Sequence, residues 1–161
     1  MNAQPKKEEI HMRKTCLLAA LVVAAASLTT ASVAFGGGQR SARAATVTVH
    51  ASRFGKVLFD GSGRALYLFK RDKSSRSTCS GACAKAWPPF LTTRAPKAGT
   101  GARAKLLGTT KRADGTRQVT YAGHPLYYYT GDKKRGQIRC ENAFTFGGRW
   151  LVVSPAGKAV R

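Results

Sequence analysis

One seven-residue pattern, leucine-tyrosine-any-aromatic-any-any-aspartate, occurs twice in this chain at a spacing of 60 residues. The first copy runs Leu66-Tyr67-Leu68-Phe69-Lys70-Arg71-Asp72 and the second Leu126-Tyr127-Tyr128-Tyr129-Thr130-Gly131-Asp132. Repetition of this kind marks a repeated structural unit. A single short copy buries too little surface to be stable alone, so the two are expected to pack together as one domain. Side chains alternate across a strand, which puts Tyr67 and Phe69 on one face and Leu66 and Leu68 on the other. Both faces are apolar, so the strand is expected to be central and covered on both sides. The same geometry pairs Tyr127 with Tyr129.

The segments around each copy read as strands and turns. Thr46-Val47-Thr48-Val49 is a β-branched run that opens the folded part. Lys56–Asp60, Gly61-Ser62-Gly63 and Ala65–Phe69 form a hairpin pattern, and Asp114-Gly115 is a second hairpin signal before Arg117–Tyr121. Val57-Leu58-Phe59 aligns with Val119-Thr120-Tyr121, and Trp150–Val153 reads as a late strand. Lys70–Lys85 and Thr92–Ala104 read as loops. Pro88 and Pro89 argue against a central strand at Trp87–Phe90, and no amphipathic helix is expected. The fold class is therefore all-β: antiparallel hairpins from two related repeats, about 56–91 and about 105–154, packed as one small domain over 46–161.

Met12-Arg13-Lys14 leads into the apolar run Leu17–Ala26, the layout of a secretory signal peptide. Small residues at alternate positions offer cleavage after Ala34 or as late as Ala44. This makes residues 1–34 a leader and signal and residues 35–45 a flexible Gly-, Ser- and Arg-rich lead-in. Leu17 to Phe35 approaches the roughly 20 residues of a membrane span, but its Ser and Thr content and the small residues after it favour cleavage. Cys16 precedes the apolar run and is expected to leave with the signal. The protein is expected in the periplasm, the cell envelope or outside the cell.

The charge is extreme. There are 28 Lys and Arg against 7 Asp and Glu, formally +21. Six of the bases (Lys6, Lys7, Arg13, Lys14, Arg40, Arg43) and two of the acids (Glu8, Glu9) lie in the first 44 residues, which leaves 22 bases and 5 acids in the folded part. Lys70, Arg71, Lys73 and Arg76 follow the first motif; Lys133, Lys134, Arg135 and Arg139 follow the second. These clusters are either solvated loops that confer solubility or an electrostatic footprint for a polyanion. After export the candidates are an anionic envelope polymer or a lipid surface, with no specific nucleic-acid partner expected.

Candidate chemistry is sparse. Asp72 and Asp132 stand where strands give way to loops, where aspartate commonly caps a turn; a carboxylate pair for cation binding or acid–base work is the sharper alternative. The motif aromatics are either core, with hydroxyls on polar partners, or a stacking platform for a planar ligand. Exported cysteines default to disulfides. Cys79 and Cys83, with Gly81 between them, are the favoured pair over pairing with Cys140. The remaining thiol is either buried or joins two chains. Zinc needs four ligands, and His50 and His124 each read as lone residues. No metal site, cofactor or catalytic motif is expected.

The two motif copies, Cys79–Cys83 leading into Trp87-Pro88-Pro89, Arg112-Ala113-Asp114-Gly115 before Gln118–Tyr121, and Gly147-Gly148-Arg149-Trp150 with Ser154-Pro155-Ala156-Gly157 together resemble a bacterial family. It comprises predicted lipoproteins with a Tyr-x-(Phe/Trp/Tyr)-x-x-Asp motif. The resemblance implies a secreted or envelope protein without an established activity. No lipid-accepting cysteine follows the apolar run here, and Cys140 lies in a stretch that the family resemblance associates with glycine and small polar residues. The expected function is a non-enzymatic module for an anionic surface polymer, with an exported redox- or metal-associated protein as the alternative.

Overall fold

The computed structural model describes residues 44–160. The expected signal at 1–34, most of the lead-in and Cys16 lie outside the described residues. The strands are β1 (Thr46–Ser52), β2 (Gly55–Asp60), β3 (Tyr67–Phe69), β4 (Lys97–Ala98), β5 (Leu107–Lys111), β6 (Arg117–Tyr121), β7 (His124–Tyr127), β8 (Ala143–Thr145) and β9 (Gly148–Val152). One short helix, α1 (Ala82–Ala86), and a 3-10 turn at Ala104–Leu106 complete the elements. Neither helical turn was expected. Each is too short to show an apolar period, which needs several turns to be legible.

Six strands form one sheet in the order β5-β6-β7-β3-β9-β8, and three form another in the order β2-β1-β4. The expected antiparallel hairpins are present, and β4 adds a parallel pair with β1. Strand β3 lies inside the larger sheet between β7 and β9, antiparallel to both. Its alternation is the one expected. Tyr67 and Phe69 enter one core with Val57, Phe59, Trp87, Tyr127, Tyr129, Trp150 and Val152. Leu66 and Leu68 enter a second with Val47, Leu58, Val119, Tyr121, Leu126 and Leu151. The two cores occupy opposite faces of one strand.

The repeats are related by an approximate two-fold axis between β3 and β7, where Tyr67 pairs directly with Tyr127. Strand β1 stands to β2 as β5 stands to β6. Tyr67 pairs with Val152 as Tyr127 bridges Pro89, which makes Trp150 and Trp87 equivalent. The Pro88–Thr92 segment is no regular strand, yet it is bonded on both sides. Tyr128 N–H donates to the Pro88 carbonyl at 2.8 Å, Phe90 N–H to Leu126 at 2.9 Å, and Val119 N–H to Phe90 at 2.8 Å. The prolines are tolerated because the donated hydrogen is that of Phe90 and Pro88 contributes only an acceptor.

One alignment read from the sequence is displaced. Phe59 bridges Ala65 and Thr120 pairs with Pro125, and Ala65 and Pro125 each lie two residues before the motif tyrosine. Phe59 is therefore equivalent to Thr120 and Leu58 to Val119, so the Val57–Val119 match is off by one. The turn after Phe59 is one residue longer than the turn after Thr120, and a one-residue slip moves every side chain to the other face. Burial confirms the corrected register: Leu58 and Val119 share the second core.

The β8–β9 turn shows how tightly the ends are held. Phe146 and Gly147 both have positive φ, 54° and 76°, the two-residue turn that suits strand twist. Phenylalanine rarely adopts that backbone. Here its ring packs on the first core, and Arg71 Nη1 donates to its carbonyl at 3.2 Å. Next along, a Cβ built on Gly148 would stand 2.6 Å from the Phe69 ring. Gly148→Ala is expected to destabilise the domain by about 1–3 kcal/mol through overpacking, read as a lower urea midpoint at unchanged slope.

Candidate functional site

The motif residues of each repeat find their partners in the other. Tyr67 donates its hydroxyl proton to Asp132 Oδ2 at 2.7 Å, and Tyr127 donates to Asp72 Oδ2 at 2.6 Å. The second oxygen of each aspartate holds its own loop. Asp72 Oδ1 accepts from Thr78 N–H and Oγ1, both at 2.8 Å, and Asp132 Oδ1 accepts from Arg139 N–H at 3.0 Å. Each carboxylate therefore caps a local turn and clasps the opposite repeat. A third bond of this kind runs from Tyr128 to Asp60 Oδ2 at 2.9 Å, while Asp60 Oδ1 takes Ser62 and Arg64 N–H. Burial raises the pKa of Tyr67, Tyr127 and Tyr128, and the neighbouring carboxylates add to it.

The motif aromatics cross over as well. Phe69 stacks on Trp150 at 4.1 Å between centroids, Trp150 stacks on Trp87 at 4.0 Å, and Trp87 meets Tyr129 at 4.7 Å. Four rings, alternating between the repeats, form one column through the two-fold axis. Tyr67 and Tyr127 close its sides edge-on against Trp87 and Trp150. Such pairs contribute about 0.5–1.5 kcal/mol each beyond the area they bury. Trp87 and Trp150 are 1% and 0% exposed, so the column is sealed and offers no open platform to a ligand. The sequence placed the motif aromatics on a face but did not show that the two tryptophans would meet, because their contact is made through tertiary packing alone.

A polar network that sequence reasoning missed surrounds Tyr127. Its hydroxyl is also 2.7 Å from Ser77 Oγ. The buried Arg112 donates to Ser77 Oγ, Gln118 Oε1 and the Cys79 carbonyl, each at 2.7 Å. Arg53 donates to the Ile138 carbonyl at 3.0 Å, so each repeat sends an arginine from its first hairpin to the post-motif loop of the other. Neither role carries a sequence signal, since both depend on contacts across the domain. Cys79 and Cys83 are joined in a disulfide at the start of α1. Cys140 is 1% exposed within the first core, and no described cysteine is a free thiol. Cys140 itself takes part in a disulfide, so the expected leftover thiol, whether buried or joining two chains, is not found among the described residues.

The eight loop bases, Lys70, Arg71, Lys73, Arg76, Lys133, Lys134, Arg135 and Arg139, are all exposed. The two loops occupy equivalent places, each over the other repeat's hairpin turn. Gly136 N–H donates to the Gly63 carbonyl at 2.8 Å, and Ser75 lies against Gly123. Arg71 also has a structural duty at Phe146. The acids face inward. Asp60, Asp72 and Asp132 are engaged as above, and Glu141 Oε2 accepts from Val152 N–H at 2.6 Å. Only Asp114, on the β5–β6 turn, is exposed, and it stands 3.5 Å from Arg112. Burial raises Asp132 to about 6 and Glu141 to about 7; Glu141 Oε1 is buried without a hydrogen-bond partner. His124 is half-buried with its pKa lowered by burial and by Lys70, and His50 lies edge-on to Phe59. Among the described residues, no three ligating side chains converge as a metal would require.

Two outcomes follow from this geometry. In a double-mutant cycle of Tyr127→Phe and Asp72→Asn, urea unfolding is expected to give a coupling of about 1.5–3 kcal/mol, the range for hydrogen bonds to charged groups. Glu141 has a folded pKa above its unfolded value near 4.3, so its favourable neutral state is lost as pH rises through about 7. Glu141→Gln is therefore expected to gain stability relative to the parent as pH rises from about 4 to 7, with the difference level above that, in thermal melts across pH.

A family described as a secreted repeat of unknown function matches residues 48–90 and 108–154, together more than half of the chain. No curated protein and no solved structure matches it. The two matched segments are the two halves that exchange tyrosines, aspartates and stacked rings across the axis, and the chain belongs to this secreted-repeat family.

Proposed function

We propose that this secreted protein is a non-enzymatic binding module for an anionic polymer of the cell surface, held through the two post-motif loops. The observation that carries the reading is the division of charge. Of the five acids after Ala44, four are turned inward onto tyrosines or backbone amides, whereas the loop bases stand in solvent. The surface field is thus almost uncompensated, and a field of one sign attracts a polyanion and raises its local concentration. Solubility alone calls for a far smaller imbalance. The motif tyrosines and aspartates, which a catalytic reading would need, are consumed in holding the repeats together.

The reading is tested by sedimentation with isolated cell envelopes and by binding to soluble polyphosphate across ionic strength. Binding is expected at low salt and lost as the screening length falls from about 30 Å toward a few ångströms. The variant Lys73→Gln/Arg76→Gln/Lys133→Gln/Lys134→Gln changes exposed side chains only and is expected to bind at least about tenfold more weakly. Parent-like binding by that variant would sink the reading.

A further inference from the structure

At one corner of the larger sheet, four side chains from four adjacent strands form a transverse row. Phe144 on the edge strand β8 pairs directly with Arg149 on β9. Lys70 N–H donates to the Arg149 carbonyl at 2.9 Å, which continues the ladder one residue past β3. The register that pairs Tyr67 with Tyr127 and Leu68 with Leu126 then sets Lys70 opposite His124, and Lys70 is one of the charges acting on that imidazole. By strand alternation all four lie on the face of Leu68, Leu126 and Leu151, as an outward continuation of the second core's side of the sheet. Phe144 is 63% exposed, more than any other large apolar side chain described. The Arg149 guanidinium sits 5.9 Å from its ring and is oriented by Asn142 Oδ1 at 3.0 Å and the Asn142 carbonyl at 3.5 Å.

We propose that this corner docks the protein on an anionic lipid surface, with Phe144 entering the boundary between headgroups and acyl chains and Lys70 and Arg149 meeting lipid phosphates. An exposed aromatic ring flanked by cations matches the two components of interfacial binding, buried apolar area and attraction to anionic lipid. A hydrated polymer has no place for the ring. A second copy of the chain would bring cations against cations. The row shares only Lys70 with the polymer-binding loops and excludes Lys73, Arg76, Lys133 and Lys134, so Phe144 and Arg149 carry it apart from the polymer site. Each cation near such a surface is worth about fivefold in affinity, and loss of the ring about tenfold or more.

The full secreted chain is tested by co-sedimentation with phosphatidylcholine vesicles, with and without phosphatidylglycerol. Binding is expected only to the anionic vesicles. Phe144→Ser is expected to bind them about tenfold more weakly while holding polyphosphate as the parent does. Lys70→Gln/Arg149→Gln is expected to lose about 25-fold on the vesicles. Phe144→Trp adds a direct reading: its emission, taken as a difference from the parent, shifts to the blue on anionic vesicles and is quenched by brominated acyl chains. Near-ultraviolet circular dichroism checks that each variant keeps the parent's packing. Absence of vesicle binding, equal binding to uncharged vesicles, parent-like binding by Phe144→Ser, or an unmoved Phe144→Trp emission each overturns the proposal. Loss of vesicle binding in the four-loop variant with Phe144→Ser unaffected would overturn it too, and would assign lipid binding to the loops.

Discussion

At the centre of this domain two tyrosine hydroxyls are taken out of water, and each is satisfied by a carboxylate of the opposite repeat whose other oxygen caps its own turn. A buried polar group without a partner costs on the order of 1–3 kcal/mol, and a charged one more. Separating the repeats would leave all four groups to find water while also breaking the column of rings between them. This makes the halves interdependent: neither motif is complete within its own repeat. The same exchange appears in the arginines from the first hairpins and in the loops laid over the opposite turns. Every residue type in the motif thus serves assembly. The tyrosine crosses to a carboxylate, the second aromatic to a tryptophan, and the aspartate both receives a tyrosine and caps its own turn.

That internal use of acid determines the surface. A chain with few carboxylates that spends most of them inside must present its bases unneutralised, at the cost of self-repulsion. The strain is spread over exposed loops, where solvent and salt screen it. On the proposed reading, binding belongs to the loops and the sheet corner, mounted on a paired core, which is the usual division between scaffold and site. The aromatic column is sealed from solvent; it sets where the two basic loops stand.

The corner at Phe144 shows the same division on a smaller scale. Strand β8 is held by a turn with an unusual backbone, fixed in turn by Arg71 and by the packing of Phe146. A base that looked from its position like part of an anion-binding loop therefore has a second role as a brace. Its neighbour Lys70 falls in register with Arg149 and so belongs to the sheet as much as to the loop.

Much of the fold was legible in the residues. Alternation of Leu66-Tyr67-Leu68-Phe69 determined a strand buried on both faces, because period two leaves no polar side to turn to water. The spacing of the motifs determined two like halves, Asp114-Gly115 a turn, and the count of bases a positive surface. Alternation, however, names a face and not a partner. That Tyr67 answers to Asp132 instead of its own Asp72, that Trp87 lies on Trp150, and that Arg112 is buried among Ser77, Gln118 and Cys79 were decided by the docking of the halves. The one-residue offset between Leu58 and Val119 is of the same kind, since a longer turn absorbs it without changing either strand's composition. Local chemistry determines which elements form; which groups meet across the axis depends on contacts between residues far apart in the chain, and these exist only once both halves have folded together.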